Sequence, residues 1–254
     1  MNKELIEEYQ NFAKEKLGFE FHDINLLITA LTHRSYVNEH KKSGADHNER
    51  LEFLGDAILE LVTSDFLFHN YHQPEGIMTA WRSALVRTES IGAAGEELGY
   101  GPLVRLSNGE KMGSERAFQV IMADCFEAVI GAIYLDQGYD AAKKFIEKHI
   151  LVKIDQVLEE GTWRDPKSYY QEIAQHHDGI TPSYRLMKEE GPDHDKVFTI
   201  GVYVGADLRG VGTGHSKQEA QGSAALSAIK KFRVEHPEEF KRKNIVKDPK
   251  HQVL

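Results

Sequence analysis

Over the first 160 residues, apolar positions recur every three or four residues. The recurrence predicts helices near 3–17, 23–31, 48–70, 76–98, 115–136 and 139–158, joined by short polar or glycine-bearing connections. The pattern stops at Glu159-Glu160-Gly161-Thr162. Beyond it, PKSYYQEIAQHH reads as a helix opened by Pro166, at an early position where the missing N–H does no harm. Three strands follow: SYRLMKEE, then after the turn GPDHDK the alternating VFTIGVYVG, then after a turn at Ala206-Asp207 the glycine-rich LRGVGTG. Phe198, Ile200, Val202 and Val204 share one strand face. A last helix opens at Ser216, which forms a capping box with Glu219. Its Ala220, Ala224, Ala228 and Ile229 make a small-residue stripe that can lie close on a sheet. The elements predict an all-α domain over 1–160, a linker at 161–164, a small α+β domain of order αβββα over 165–235, and a charged, fraying tail over 236–254. No internal repeat interrupts this order.

Composition narrows the classes. Cys125 is the only cysteine, which excludes an internal disulfide and any multi-cysteine zinc site. Met1 to Gln10 is charged and lacks a secretory h-region, and no apolar run reads as long enough for a bilayer, so a cytoplasmic chain without a membrane partner is expected. The net charge of −9 argues against a polyanionic partner until it is divided between the halves. Residues 1–160 hold 16 Lys/Arg against 27 Asp/Glu, a net of −11, whereas residues 161–254 hold 15 against 13, a net of +2. An acidic half that gathers cations and a second half that meets a polyanion would account for the asymmetry.

HNERLEFLGDAILEL (47–61) puts Glu49, Glu52, Asp56 and Glu60 within an arc of about 80° on one helix, at about 100° per residue. Leu51, Leu54, Ile58, Leu61 and Val62 fall on the other side and form the core stripe. Alone, the pattern is an amphipathic helix with a wet acidic face. SERAFQVIMADCFEAVIGAIYLDQG changes that reading. It is apolar nearly all round, hence buried, yet carries Asp124 and Glu127 three residues apart on one face, with no Lys or Arg within a turn. Burying two carboxylates side by side costs several kcal/mol unless cations or donors compensate. A divalent cation shared with Glu52 and Asp56 resolves the cost, and oxygen donors without a His or Cys pattern favour Mg²⁺ or Mn²⁺. Two such acidic pairs suit a metal-assisted hydrolase of phosphate esters. Phe53 projects beyond the acidic arc, either as ordinary exposed surface or as a subunit contact.

HNERLEFLGDAILELV resembles the signature segment of bacterial ribonuclease III, the double-stranded-RNA endonuclease. LTHRSYVNE, PEGIMTAWRSALVRTESI and MADCFEAVIGAIYLDQG are similar to the family's other nuclease blocks, in order. DPKSYYQEIAQ, PSYRLMKEEGPDHDKVF and GVGTGHSKQEAQGSAA resemble its double-stranded-RNA-binding domain. The resemblance implies that Glu52, Asp56, Asp124 and Glu127 are catalytic metal ligands, that Glu49 and Glu75 are supporting acids near the cleavage site, and that Phe53 is the contact of a homodimer. Glu60 matches no functional position and is expected to be solvated. Gln171, Glu172 and His194 are implied to meet successive minor grooves, and Ser216 and Lys217 the phosphates between them. The physics of a helix start, with free N–H groups and a favourable dipole, agrees with that last role.

The implied activity is Mg²⁺-dependent cleavage of double-stranded RNA, with Mn²⁺ able to substitute and no organic cofactor. It leaves 5′-phosphate and 3′-hydroxyl ends with short 3′ overhangs, and its substrates are ribosomal RNA precursors and other structured RNAs. Three positions depart from the pattern. Ala80 and Trp81 replace a basic residue and a smaller aliphatic, which is expected to alter substrate contact, and Gln218 removes one phosphate-facing charge. A catalytically silent RNA-binding or chaperone protein would have lost ligands, yet all four are present. An all-α nucleotide pyrophosphohydrolase would explain the acids but not the second domain.

Overall fold

The computed structural model describes residues 3–161, 163–192 and 195–237, in two units, the first running to Val157 and the second starting at Leu158. The first is helical: α1 (Lys3–Phe12), a π-helical turn (Ala13–Leu17), α2 (Ile24–Ala30), α3 (Arg34–Glu39), α4 (Glu49–Asn70), α5 (Glu75–Val86) and α6 (Thr88–Leu98). Then come α7 (Asn108–Lys111), α8 (Glu115–Gln137), α9 (Tyr139–His149) and α10 (Ile154–Glu160), whose last three residues fall in the second unit, with single 3₁₀ turns at Lys41–Ser43 and Leu151–Lys153. Helix α8 is the hub, packed by α2, α4, α6 and α9. Its middle, from Ile121 to Ile133, is buried except for Asp124 and Glu127, which are half-buried. By length and composition α8 could cross a bilayer, which corrects the expectation that no apolar run is long enough; most of that stretch is buried in the helical core instead.

The helix expected over 76–98 is two helices. Arg87 is extended (φ −64°, ψ 150°), and its carbonyl accepts from the Ser90 and Ile91 amides to start α6. The break lets α5 lie on α4 while α6 lies on α8, two directions that one straight helix cannot serve. The short helices α3 and α7 carry no apolar stripe and have no buried residue, so periodicity passed over them. Leu61, expected in the core stripe of α4, is 57% exposed.

In the second unit, α11 (Pro166–Asp178) and α12 (Lys217–Glu235) cover an antiparallel sheet of order β1 (Ser183–Glu190), β2 (Val197–Val204) and β3 (Asp207–Gly214). Asp165 caps α11 by accepting from the Ser168 amide at 2.8 Å, with Pro166 in the first turn. The β2–β3 turn is Gly205-Ala206, one residue earlier than expected, with Gly205 at φ +62°, where glycine carries no steric penalty. Ile200, Val202 and Val204 pack with Ala220, Ala224, Ala228 and Ile229 in the core. β3 and α12 meet backbone to backbone, since a Cβ on Gly210 or Gly212 would lie 2.6 or 2.1 Å from main-chain atoms of α12. Residues 238–254, most of the tail, lie outside the described residues.

Candidate functional site

The site on the first unit begins with two glycines. A Cβ on Gly55 of α4 would lie 1.7 Å from the carbonyl oxygen of Glu127, and one on Gly131 of α8 would lie 2.3 Å from that of Leu51. The helices therefore touch through their main chains. Glu52 and Asp56 flank Gly55, and Glu127 is the residue it touches, so the contact gathers the acids of both helices along one seam. Mid-helix glycine costs about 1 kcal/mol against alanine, and this close approach is what the two glycines supply. Neither was singled out from the sequence, although a glycine inside a strong helical pattern is the signal to look for.

Among the described residues, Glu52, Asp56, Asp124 and Glu127 have no ion pair. Burial, then the charges of Asp124, Glu49 and Asp56, push the Glu52 carboxyl up to about 7. Burial and then Asp56, Glu52, Asp124 and Glu60 push Glu127 up to about 8. Burial also raises Asp124, partly offset by nearby His33. At neutral pH this seam is short of positive charge and holds a proton in its place. Among the described residues no three His, Cys, Asp or Glu side chains converge as a closed ligand set. Mg²⁺, which keeps several waters and takes only one or two carboxylates directly, does not require a closed one.

The supporting acids stand at helix starts. Glu49, exposed at the first position of α4, pairs with Arg34 of α3 at 3.3 Å and with His47 at 3.7 Å. Glu75 opens α5, is exposed, and accepts a hydrogen bond from Thr79 at 3.1 Å. Glu60, expected to be solvated, is instead half-buried and bound to Arg82 of α5 at 2.7 Å. Trp81 is buried, edge-on to Tyr71 at 5.2 Å, so this departure sits in the packing of the helical core. Ala80 is half-buried. Buried Asn48, just before α4, joins three segments, its amide donating to Thr32 at 2.9 Å and its side chain to Cys125 at 3.7 Å. Phe53 is 80% exposed on α4, in line with its projecting beyond the core stripe.

On the second unit, Gln171, Glu172, Ser216, Lys217 and Gln218 are all exposed, while His194 lies outside the described residues. Lys167 donates to Gln221 at 2.6 Å, one turn before Gln171 on α11 and one turn after Lys217 on α12. Residues four apart share a helix face, so Gln171, Lys167, Gln221 and Lys217 line one continuous strip. Ser216 caps α12 by accepting from the Glu219 amide at 3.1 Å, and Glu219 reaches back to the His215 amide at 2.8 Å. The His215 ring pairs with Asp195 at 3.2 Å, which fixes the end of the β1–β2 turn beside the start of α12. Lys217 holds its ammonium 5.8 Å from the Phe198 ring, at the edge of the strip. Glu172 is tied to Arg164 at 3.3 Å.

Comparison with known proteins agrees with both halves. A family model described as Ribonuclease-III-like matches residues 23–154, and one described as double-stranded RNA binding motif matches residues 166–232. A ribonuclease 3 of Enterococcus faecalis is 44% identical over 221 residues, 85% of this chain and 94% of that protein. One of Geobacillus kaustophilus is 43% identical over 232 residues, 90% of this chain and 91% of that protein. Among solved structures, the nuclease domain of ribonuclease III from Campylobacter jejuni is 38% identical with a TM-score of 0.49, covering 54% of this chain and 96% of that one. A helical nuclease unit followed by an RNA-binding αβββα unit, matched along nearly its whole length, makes this chain a member of the ribonuclease III family of double-stranded-RNA endonucleases.

Proposed function

We propose that this endonuclease is a Mg²⁺-dependent homodimer, with Mn²⁺ able to substitute, in which Glu52, Asp56, Asp124 and Glu127 hold the metal. It leaves 5′-phosphate and 3′-hydroxyl ends with short 3′ overhangs, and in the cytoplasm it processes ribosomal RNA precursors, messenger RNA and other structured RNAs. The observation that carries the metal assignment is the seam of α4 and α8, where carboxylates from two helices feel one another's charge and, among the described residues, none of the four has an ion pair. All four donors are hard oxygens, which suits Mg²⁺ or Mn²⁺ and not zinc.

When bound, a divalent cation supplies Lewis acidity that activates the attacking water and stabilises the leaving 3′-oxygen. The chain's own residues do the rest. The main-chain contact at Gly55 sets the spacing of the two acidic pairs. Glu127, pushed up to about 8, keeps its proton at neutral pH when no cation is bound, so rising pH favours the fully ionised ligand set. Glu49 and Glu75 support the site from the starts of α4 and α5. The strip of Gln171, Lys167, Gln221 and Lys217 meets the minor-groove hydroxyls and phosphates of the duplex, a shape-reading mode with little sequence preference.

The test is cleavage of one long duplex RNA and its separated strands with Mg²⁺ or with chelator. Cleavage only of the duplex and only with metal is expected; undiminished cleavage in chelator would overturn the metal assignment. Lys217→Ala is expected to weaken binding several-fold to all duplex sequences alike, and to lower the salt slope by about 1, as loss of one phosphate contact does. A loss confined to some sequences would mean that Lys217 reads bases. Phe53 supports the homodimer reading, since a phenylalanine 80% exposed beside the acidic seam gains most by burial against a second copy. Phe53→Ala should therefore weaken dimerisation by about 2 kcal/mol, as loss of a central aromatic anchor does. Sedimentation at micromolar concentration reads this directly, and an unchanged dimer would leave Phe53 as plain surface.

A further inference from the structure

We propose that Arg82 withholds Glu60 from the carboxylate seam, so that the site offers a divalent cation four acids and not five. The inference rests on the metal-site reading above and deepens it. Glu60 stands one turn beyond Asp56 on α4, about 40° round the axis, and so continues the same acidic stripe. Its charge is felt at Glu127 across the helix seam. What separates it from the other acids is its partner. Arg82 places Nε 2.7 Å from the Glu60 carboxylate. Its guanidinium also donates to Ser64 Oγ at 2.9 Å, and that hydroxyl donates to the Glu60 carbonyl at 2.7 Å. Two anchors one turn apart on α4 thus hold the planar fork in one orientation, a geometry that lysine cannot reproduce.

The neighbours on α5 give the arrangement a second consequence. Glu75, Thr79 and Arg82 fall within about 60° of one another on that helix, so the anchor also holds the Glu75 face toward α4. An ion pair this exposed contributes little to stability. Its electrostatic effect on a neighbouring site is a different matter. At the solvent-like screening of a pair this exposed, one unit of charge uncovered about 8–10 Å from a divalent cation changes its affinity by about fivefold.

A four-member cycle in the full-length protein, read by electron paramagnetic resonance of free Mn²⁺ without RNA, tests this. Arg82→Gln uncovers Glu60 and is expected to bind Mn²⁺ about fivefold tighter. Glu60→Gln uncovers the guanidinium and is expected to bind it about fivefold more weakly. The double variant is expected to return to within about twofold of the parent, because both charges are gone. A purely structural bridge gives a different result: both single variants shift the same way and the double does not recover. That outcome would overturn the proposal. Should Arg82→Gln fail to fold, Glu60→Gln alone still decides, since unchanged or tighter binding contradicts the inference. Glu127→Gln in the same titration separates the two levels. If it binds Mn²⁺ like the parent, the metal site is wrong; if it loses Mn²⁺ while Arg82→Gln matches the parent, only the role of Arg82 is wrong.

Discussion

Glu127→Gln is expected to abolish cleavage of duplex RNA while leaving duplex binding within about twofold of the parent, because every residue of the RNA-facing strip is on the second unit. The substitution keeps the side-chain volume and removes one charge from the seam. Loss of an outer-shell partner of a metal ligand already costs about 10–100-fold, so loss of a ligand itself should exceed roughly a hundredfold in single-turnover cleavage with Mg²⁺. Cleavage within a few-fold of the parent would remove Glu127 from the site. The same variant has an opposite effect on stability, with a sign set by its pKa. Burial and the neighbouring carboxylates push Glu127 up to about 8, against an unfolded value near 4.3. A carboxyl raised in this way contributes its stability below the unfolded value, and loses it as pH rises toward the folded one. In chelator, parent and variant should therefore melt nearly together at about pH 4.5, with the variant more stable by on the order of 2 kcal/mol at pH 9. A gap that narrows with rising pH would contradict the assignment.

The second large effect is expected at Gly55, a residue with no side chain and no chemistry. In Gly55→Ala the new methyl would meet the Glu127 carbonyl at 1.7 Å and the Gly131 amide nitrogen at 3.0 Å. Both obstacles are main chain, so no rotamer change relieves them, and α4 must move away from α8. The cost should reach or exceed about 3 kcal/mol, the upper end for overpacked cores. Any protein that remains folded should still have lost metal-dependent cleavage, since the two acidic pairs would then stand further apart. Gly222→Ala on α12 is the contrasting case, with nothing within 4 Å of the added methyl, and should stabilise by about 0.5–1 kcal/mol through helix propensity. Chemical denaturation measures both. A tolerated Gly55→Ala would mean that the seam is looser than its backbone contact indicates.

The amino-acid pattern by itself determined the two fold classes, their order along the chain, and the acids worth examining. These properties are local or nearly so. Helical periodicity in α4 and α8 is written in each segment, and Asp124 and Glu127 stand out because an otherwise apolar helix carries them. Capping is equally local, as with Ser216 and Asp165, whose side chains each accept from the amide three residues on. Tertiary structure decided what lies across from each face. Periodicity placed Leu61 with the core and Glu60 in solvent, yet Leu61 is 57% exposed and Glu60 is bound to Arg82, which lies on the next helix, α5. The helix expected over 76–98 broke at Arg87 because its two halves pack on different partners, α4 and α8. Gly55 and Gly131 read as weak points of helices until their backbones were brought together. A side chain's direction about its own helix follows from the order of residues; the distance to the next helix follows from the smallest atoms at the crossing, which lie far apart in the chain.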